Sequence, residues 1–318
     1  MKAAALVRPG SFSVYDIEIP TPKPNEVLVR VIACGVCSSE LGMWKNKELK
    51  VENPLFIGHE VSGVVEKVGE EVTQFATGDR VTIFTEKGGY AEYISVPEKA
   101  VIKIADHVPF ELALGEPIAC AMNGTKRSGV QVGDTVVMIG LGFMGSLILQ
   151  GIKLKGASQI IAIDPREESQ ELAAKLGVDV FLNSNEDDLE RKVLELTDGL
   201  GADVVIESTG YQEPLDLATK LVKIRGRIVI FGYHQGGSRT IDVQTWNWKG
   251  LDVVNAHERD PDVYIEGMRT GIKLLNNNQL RMEPLVTHFY TIDQINEAFE
   301  TATNKPNGFI KAVIRNAE

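Results

Sequence analysis

The run TVVMIGLGFMGSLILQ, residues 135–150, decides the fold. Thr135 to Ile139 are β-branched or apolar in succession, which suits a strand covered on both faces. The residues after it repeat apolar side chains at helical spacing. At the junction stand Gly140, Gly142 and Gly145, in G-x-G-x-x-G register. Behind a strand and at the mouth of a helix the three glycines play different parts: a tight turn at Gly140, close approach of a pyrophosphate at Gly142, and helix-to-strand packing at Gly145. The helix N-terminus, with Phe143 and Met144 between the glycines, offers N–H groups and a positive dipole to phosphates. A dinucleotide is therefore the expected ligand of Gly140, Gly142, Phe143, Met144 and Gly145. The plainer alternative is a turn that holds nothing.

Downstream, QIIAID ends at Asp164, where an acidic side chain accepts hydrogen bonds from both hydroxyls of an adenosine ribose. That favours NAD over NADP, while Arg166, two residues on, pulls the other way because an arginine can neutralise a 2'-phosphate. REESQELAAKLG, ADVVIES, PLDLATKLV, RIVIFG and LDVVNA continue the alternation of helix and strand, which implies a parallel sheet with helices on both faces. Upstream, EVLVRVIAC, EVSGVVEKVG, DRVTIF and YAEYISVP partly alternate apolar and polar residues between Gly, Pro and Asn, as in an antiparallel, barrel-like domain. The fold class is thus α/β. Residues 119–256 are expected to form the nucleotide domain, and 1–118 the other, completed by 257–318 and a last short strand.

The totals agree with two domains: 318 residues of which 43% are hydrophobic can bury two cores. With 44 acidic against 33 basic residues the net charge is -11, which speaks against nucleic acid or an anionic lipid surface and for a small-molecule partner. No apolar run reaches transmembrane length, and MKAAALVRPG breaks at Pro9 and Gly10 before a signal-peptide core forms, so a cytoplasmic protein is expected. Three cysteines do not make a disulfide framework. Cys34 and Cys37, in IACGVCSSELGMW, form a C-x-x-C, but nothing around them supports a thioredoxin-like pair. FIGHE at 56–60 supplies His59 and Glu60 as further candidate donors. Alone, a buried cysteine or histidine is ordinary packing.

Together with a dinucleotide fold the pattern changes. CGVCSSE, GHEVSGVVEKVGEEV, GDRV, GGYAEY, GEPIA, GLGFMG and GFIKAVI occur in that order, and over nearly the whole chain they resemble the zinc-containing alcohol dehydrogenases of the medium-chain dehydrogenase/reductase superfamily. Glu116-Pro117 places the likeness nearest the sorbitol and polyol dehydrogenases. The resemblance implies a GroES-like β-barrel catalytic domain beside a Rossmann domain. It implies a catalytic zinc on Cys37 and His59, with Glu60 and Glu116 both candidates for the remaining protein ligand, with Cys34 as a packed thiol, and with Cys120 a small apolar contact near the cofactor in preference to a further ligand. Only TIFTEK separates GDRV from GGYAEY, so the four-cysteine lobe that holds a structural zinc in many relatives is absent and one zinc per chain is expected.

The implied chemistry is interconversion of a secondary alcohol, of polyol, sugar or cyclitol type, and a ketone by hydride transfer to or from NAD. Zinc polarises the substrate oxygen. Ser39 matches the residue that passes the hydroxyl proton outward, or else caps a helix, as Ser38 also could. Gly42 stands where relatives continue that relay with a histidine. Glu40 matches an acid that braces the zinc-bound histidine, and Lys311 a basic partner for that acid. Among the aromatics Phe56, Trp44, Trp246 and Trp248, Trp44 is the expected substrate-pocket wall, and HERD at 257–260 is a charged cluster of unassigned role. Relatives commonly form homodimers or homotetramers. The rival classes are a zinc-free NADPH quinone or enoyl reductase of the same fold, against which Cys37, His59 and Asp164 count, and a non-catalytic nucleotide-binding sensor.

Overall fold

In the computed structural model, residues 1–186 and 188–316 are described. From the N-terminus run β1 (Lys2–Arg8), β2 (Ser11–Asp16), β3 (Glu26–Gly35), α1 (Ser38–Lys45), β4 (Glu60–Val68), β5 (Arg80–Phe84), β6 (Tyr93–Pro97) and β7 (Val101–Lys103). Helix α2 (Gly115–Ser128) leads into β8 (Thr135–Ile139), α3 (Phe143–Leu154), β9 (Gln159–Asp164), α4 (Ser169–Leu176), β10 (Val180–Asn183) and α5 (Leu189–Leu196). There follow β11 (Ala202–Glu207), α6 (Gln212–Leu221), β12 (Val222–Ile230), α7 (Val243–Lys249) and β13 (Asp252–Asn255). The chain closes with α8 (Pro261–Asn276), β14 (His288–Thr291), α9 (Ile295–Asn304) and β15 (Ala312–Arg315).

Two units result: Met1–Ala119 with Asp260–Glu318, and Cys120–Arg259. In the first, strands follow the order β14-β15-β3-β4-β5-β7, with β6 also on β3 and β1-β2 as a separate pair. All these pairings are antiparallel except β14 with β15. Strand β3, EVLVRVIACG, is buried along most of its length because it takes neighbours on both edges and packs its two faces. The register sets the site. Gly35 lies opposite Glu60 on β4 and opposite Val313 on β15. The loop after β3, the start of β4 and the residues before β15 therefore meet at one end of the sheet.

The second unit is a wholly parallel six-stranded sheet in the order β10-β9-β8-β11-β12-β13. Strand β8 is buried from Val136 to Ile139, as its unbroken apolar run requires, and α3 buries nine of its residues. Strand order reverses between β8 and β11, the place where doubly wound sheets bind ligands at the carboxyl ends of their strands. Among the described residues no helix is long and apolar enough to cross a membrane.

Candidate metal centre and nucleotide site

Helix α1 begins one residue earlier than a Ser38 cap and two earlier than a Ser39 cap would place it: Cys37, extended at φ -88° and ψ 141°, is its N-cap. That turns the thiol towards the end of the sheet. The Ser39 hydroxyl donates to Cys37 Sγ at 3.2 Å, and Ser38 is exposed. The donor atoms of Cys37, His59 and Glu60 all lie within 4.8 Å of one another.

Glu40 holds this arrangement in shape. It is 4% exposed, yet its carboxylate is well supplied with donors. Oε1 accepts from Gly58 N–H at 2.8 Å and pairs with His59 Nδ1 at 2.9 Å, while Oε2 accepts from Tyr90 Oη at 2.5 Å and Cys37 N–H at 3.4 Å. Burial pushes the Glu40 carboxyl up, but the hydrogen bond and charge of His59 outweigh it and hold it below its usual value. With Nδ1 committed to Glu40, the His59 ring presents Nε2 for a metal, the orientation that an acid behind a ligating histidine normally enforces. Burial would lower the His59 pKa, but hydrogen bonds to Cys37 and Glu40 reverse that and raise it to about 12.

Lys311 departs from expectation. Its Nζ lies 2.7 Å from Oε1 and 2.6 Å from Oε2 of Glu60, so it pairs with Glu60, where Glu40 was the expected partner. The register explains this: Lys311 precedes β15, which is laid against Gly35, and Glu60 is directly across from Gly35. Room for the carboxylate exists because residue 35 is glycine; a Cβ there would lie 2.0 Å from Glu60 Oε2. Burial lowers the Lys311 pKa, and the adjacent Glu60 charge more than offsets it.

Glu116, in the first turn of α2, is half-buried and outside the group of three; its charge acts on Lys311. Cys34 is a packed thiol at 1% exposure. Trp44 is not a pocket wall. It is 6% exposed and stacks on Phe12 at 5.5 Å and against Phe299 at 5.3 Å, because the apolar face of α1 closes over the core of the first unit. Phe56 lies beside Tyr15, Trp246 donates to Thr219 and packs on the parallel sheet, and Trp248 is 83% exposed. His257 of HERD stacks on Tyr233 at 5.4 Å and its carbonyl accepts from Arg127, so it is anchored within the second unit.

A thiolate, an imidazole and a carboxylate are the donors that zinc takes in catalytic sites, where three protein ligands leave the fourth position for water or substrate. The group thus fits a catalytic zinc.

In the second unit Gly140 and Gly145 have the tight-turn geometry that their spacing implies. Gly140 has φ +94°, and a Cβ on Gly145 would lie 2.1 Å from Gly140 O. A Cβ on Gly142, the N-cap of α3, would meet nothing within 4 Å, which leaves the helix mouth open. Phe143 is buried and Met144 half-buried beside it. Asp164 Oδ2 accepts from Leu141 N–H at 2.8 Å, tying the end of β9 to the glycine turn. The cradle fits a dinucleotide pyrophosphate. A feature that sequence spacing does not disclose stands at the end of β11: fully buried Glu207 accepts from Thr209 N–H at 2.6 Å and Gly210 N–H at 2.9 Å and pairs with His234 Nε2 at 2.9 Å. Arg239 Nε donates to the other nitrogen of that ring at 3.2 Å. The loops after β11 and β12 are thereby bound together.

Comparison with known proteins follows the same division. Residues 23–106 match the alcohol dehydrogenase GroES-like domain and residues 144–273 the zinc-binding dehydrogenase domain. The chain is 30% identical to L-threonine 3-dehydrogenase of Pyrococcus horikoshii, with 94% of each chain covered. It is 28% identical to erythritol/L-threitol dehydrogenase of Mycolicibacterium smegmatis, covering 94% of this chain and 93% of the other. A zinc-binding dehydrogenase from Sinorhizobium meliloti solved with NADP bound superposes with a TM-score of 0.87 at 26% identity, with 99% of each chain covered. The donor set, the glycine turn and these matches together show that the chain belongs to the zinc-containing alcohol dehydrogenase family of the medium-chain dehydrogenase/reductase superfamily.

Proposed function

We propose that the chain is a zinc-dependent dehydrogenase that interconverts a secondary alcohol of polyol, sugar or cyclitol type and the corresponding ketone, with NAD as hydride carrier. The observation that carries this is the gathering of Cys37, His59 and Glu60 donors within 4.8 Å, with Glu40 behind the histidine. When bound, zinc supplies a Lewis acid that lowers the pKa of an alcohol, and NAD supplies the hydride acceptor.

The chain's own residues do the rest. Cys37 and His59 grip the metal, and Glu60 is the third donor in preference to Glu116, since it belongs to the gathered group. Lys311 sits on the Glu60 carboxylate and limits its travel. Glu40 fixes the His59 ring. Ser39, whose hydroxyl donates to the Cys37 thiol at 3.2 Å, relays the substrate's hydroxyl proton by turning off the thiol, accepting that proton on Oγ and releasing its own to water, since Gly42 offers no side chain to continue the path. The glycine turn holds the pyrophosphate, and Asp164 meets the adenosine ribose. Relatives that act on threonine and on erythritol or threitol support a substrate whose reacting hydroxyl has polar neighbours.

A panel of polyols, cyclitols, 3-hydroxy amino acids and simple secondary alcohols, assayed with NAD and with NADP on protein of measured zinc content, tests the proposal. Turnover of a polyol-type alcohol that scales with zinc is expected. Zinc-independent reduction of quinones or enones, with no alcohol oxidised, would contradict it.

A further inference from the structure

The carboxylate behind His59 is itself loaded by a tyrosine to which the chemistry above gives no part. Tyr90, in GGYAEY, is 1% exposed. Its main chain is held from two sides: Tyr90 N–H donates to Ile57 O at 3.4 Å, and Tyr90 O accepts from Ala4 N–H at 2.8 Å. The ring meets Phe12 at 6.2 Å and Phe299 at 5.8 Å, both edge-on. Gly58, at φ +100°, passes so close that a Cβ there would lie 2.7 Å from Tyr90 N and 3.0 Å from the ring. With main chain and ring both fixed, the aim of the hydroxyl is fixed too. Oη lies 2.5 Å from Glu40 Oε2 and 3.1 Å from Gly35 O. A phenol has one proton to donate, and it goes to the nearer, charged acceptor. Burial and the Glu40 charge push the phenol well above its ordinary value, so that proton stays on Tyr90.

The two oxygens of Glu40 thus serve different partners: Oε1 faces His59 Nδ1 and Oε2 faces Tyr90. A donor on Oε2 stabilises the carboxylate and makes it less basic. A less basic carboxylate pulls less on the Nδ1 proton, and the imidazole becomes a weaker electron donor at Nε2. We propose that Tyr90 is a positioning residue that acts through Glu40 and His59 to keep the bound metal electron-poor, and so a stronger Lewis acid toward an alcohol oxygen. This rests on the zinc dehydrogenase reading above. A hydroxyl that merely satisfied a buried carboxylate would contribute to stability and leave the metal unchanged.

The test compares the unmodified full chain with Tyr90→Phe, which keeps the ring, and with a chain carrying 3-fluorotyrosine in place of Tyr90, whose more acidic phenol is a stronger donor. Proton NMR of the zinc-loaded chains reads the His59 Nδ1 proton, and visible absorption of the cobalt-loaded chains reads the affinity of the metal for azide. Tyr90→Phe is expected to move the Nδ1 proton downfield and to weaken azide binding about three- to tenfold, less than the roughly 10–100-fold that loss of a group directly behind a ligand brings. The fluorinated chain should move both readings the other way. A proton and an azide affinity that stay put in both variants, with only the thermal midpoint lowered, would overturn the proposal. Loss of the metal from Tyr90→Phe would overturn it as well, since the tyrosine would then hold the site together without tuning it. Either result leaves the dehydrogenase reading standing, whereas an unmodified chain that takes up no zinc would overturn the two together.

Discussion

At the scale of single residues the site depends on Glu40, which touches no substrate. Glu40→Gln keeps the shape but removes the charge facing His59 Nδ1, and amide hydrogens then confront N–H donors. Loss of such a brace typically weakens zinc binding about 10–100-fold. Chelator competition on the variant should show that loss, and an unchanged zinc affinity would mean that Glu40 does not orient the ring. Cys37 and His59 were legible from the chain only through the family resemblance that CGVCSSE and GHE carry, since alone neither residue type points to a metal. The partner of Lys311 was not, because it depends on which residues of β15, β3 and β4 face one another, and register is a tertiary property. The pairing of Asp164 with Arg166 was hidden for a similar reason: the sequence shows Arg166 nearby, while only the structure shows its guanidinium turned back on the carboxylate, with Nε 2.9 Å from Oδ1 and Nη2 3.1 Å from Oδ2.

At the scale of elements the turn between β8 and α3 and the aromatic seam of the first unit make separate demands. A methyl group at residue 145 would stand 2.1 Å from Gly140 O, a clash with backbone that cannot move without opening the turn. Gly145→Ala should therefore abolish NADH binding, read by fluorescence titration, while zinc content stays at the unmodified level; retained NADH affinity would sink this account of the turn. The seam joins α9 to the barrel through Phe299, whose ring lies 4.6 Å from Phe12, 5.3 Å from Trp44 and 5.8 Å from Tyr90. Phe299→Ala should cost about 3–5 kcal/mol in denaturant unfolding of the first unit, as buried aromatic truncations do. A cost below 1 kcal/mol, roughly that of a surface change, would show that the seam is not closely packed. The strands and helices of the second unit could be read from alternating apolar runs. Trp44 could not be separated from a pocket wall, because helical spacing marks a buried face without saying what covers it.

For the whole molecule, pH dependence follows from paired carboxylates. Asp79, Asp164 and Asp203 are each pushed up by burial, yet Lys103, Arg166 and Lys223 with nearby backbone N–H groups hold them below the ordinary value of 3.8. A carboxyl lowered in the folded state stabilises it above the unfolded pKa, and that stabilisation is lost as pH falls through the folded value. Thermal midpoints should thus drop on acidification from near pH 4 downward, and Asp203→Asn should flatten the drop. A midpoint indifferent to acid would refute the pairing. The division into a barrel unit and a parallel-sheet unit was visible in the change of rhythm near residue 133, since strand alternation and strand–helix alternation bury apolar faces at different periods. The parallel pairing of β14 with β15 was not, as both are four-residue strands with little pattern of their own.

The central claim is that Cys37, His59 and Glu60 hold one zinc ion. X-ray absorption at the zinc edge of the purified protein tests it most directly. One zinc per chain is predicted, with a single sulfur at about 2.3 Å and the other ligands nitrogen or oxygen, the sulfur contribution vanishing in Cys37→Ser. Protein that carries no zinc, or zinc whose sulfur shell survives that substitution, would contradict the claim.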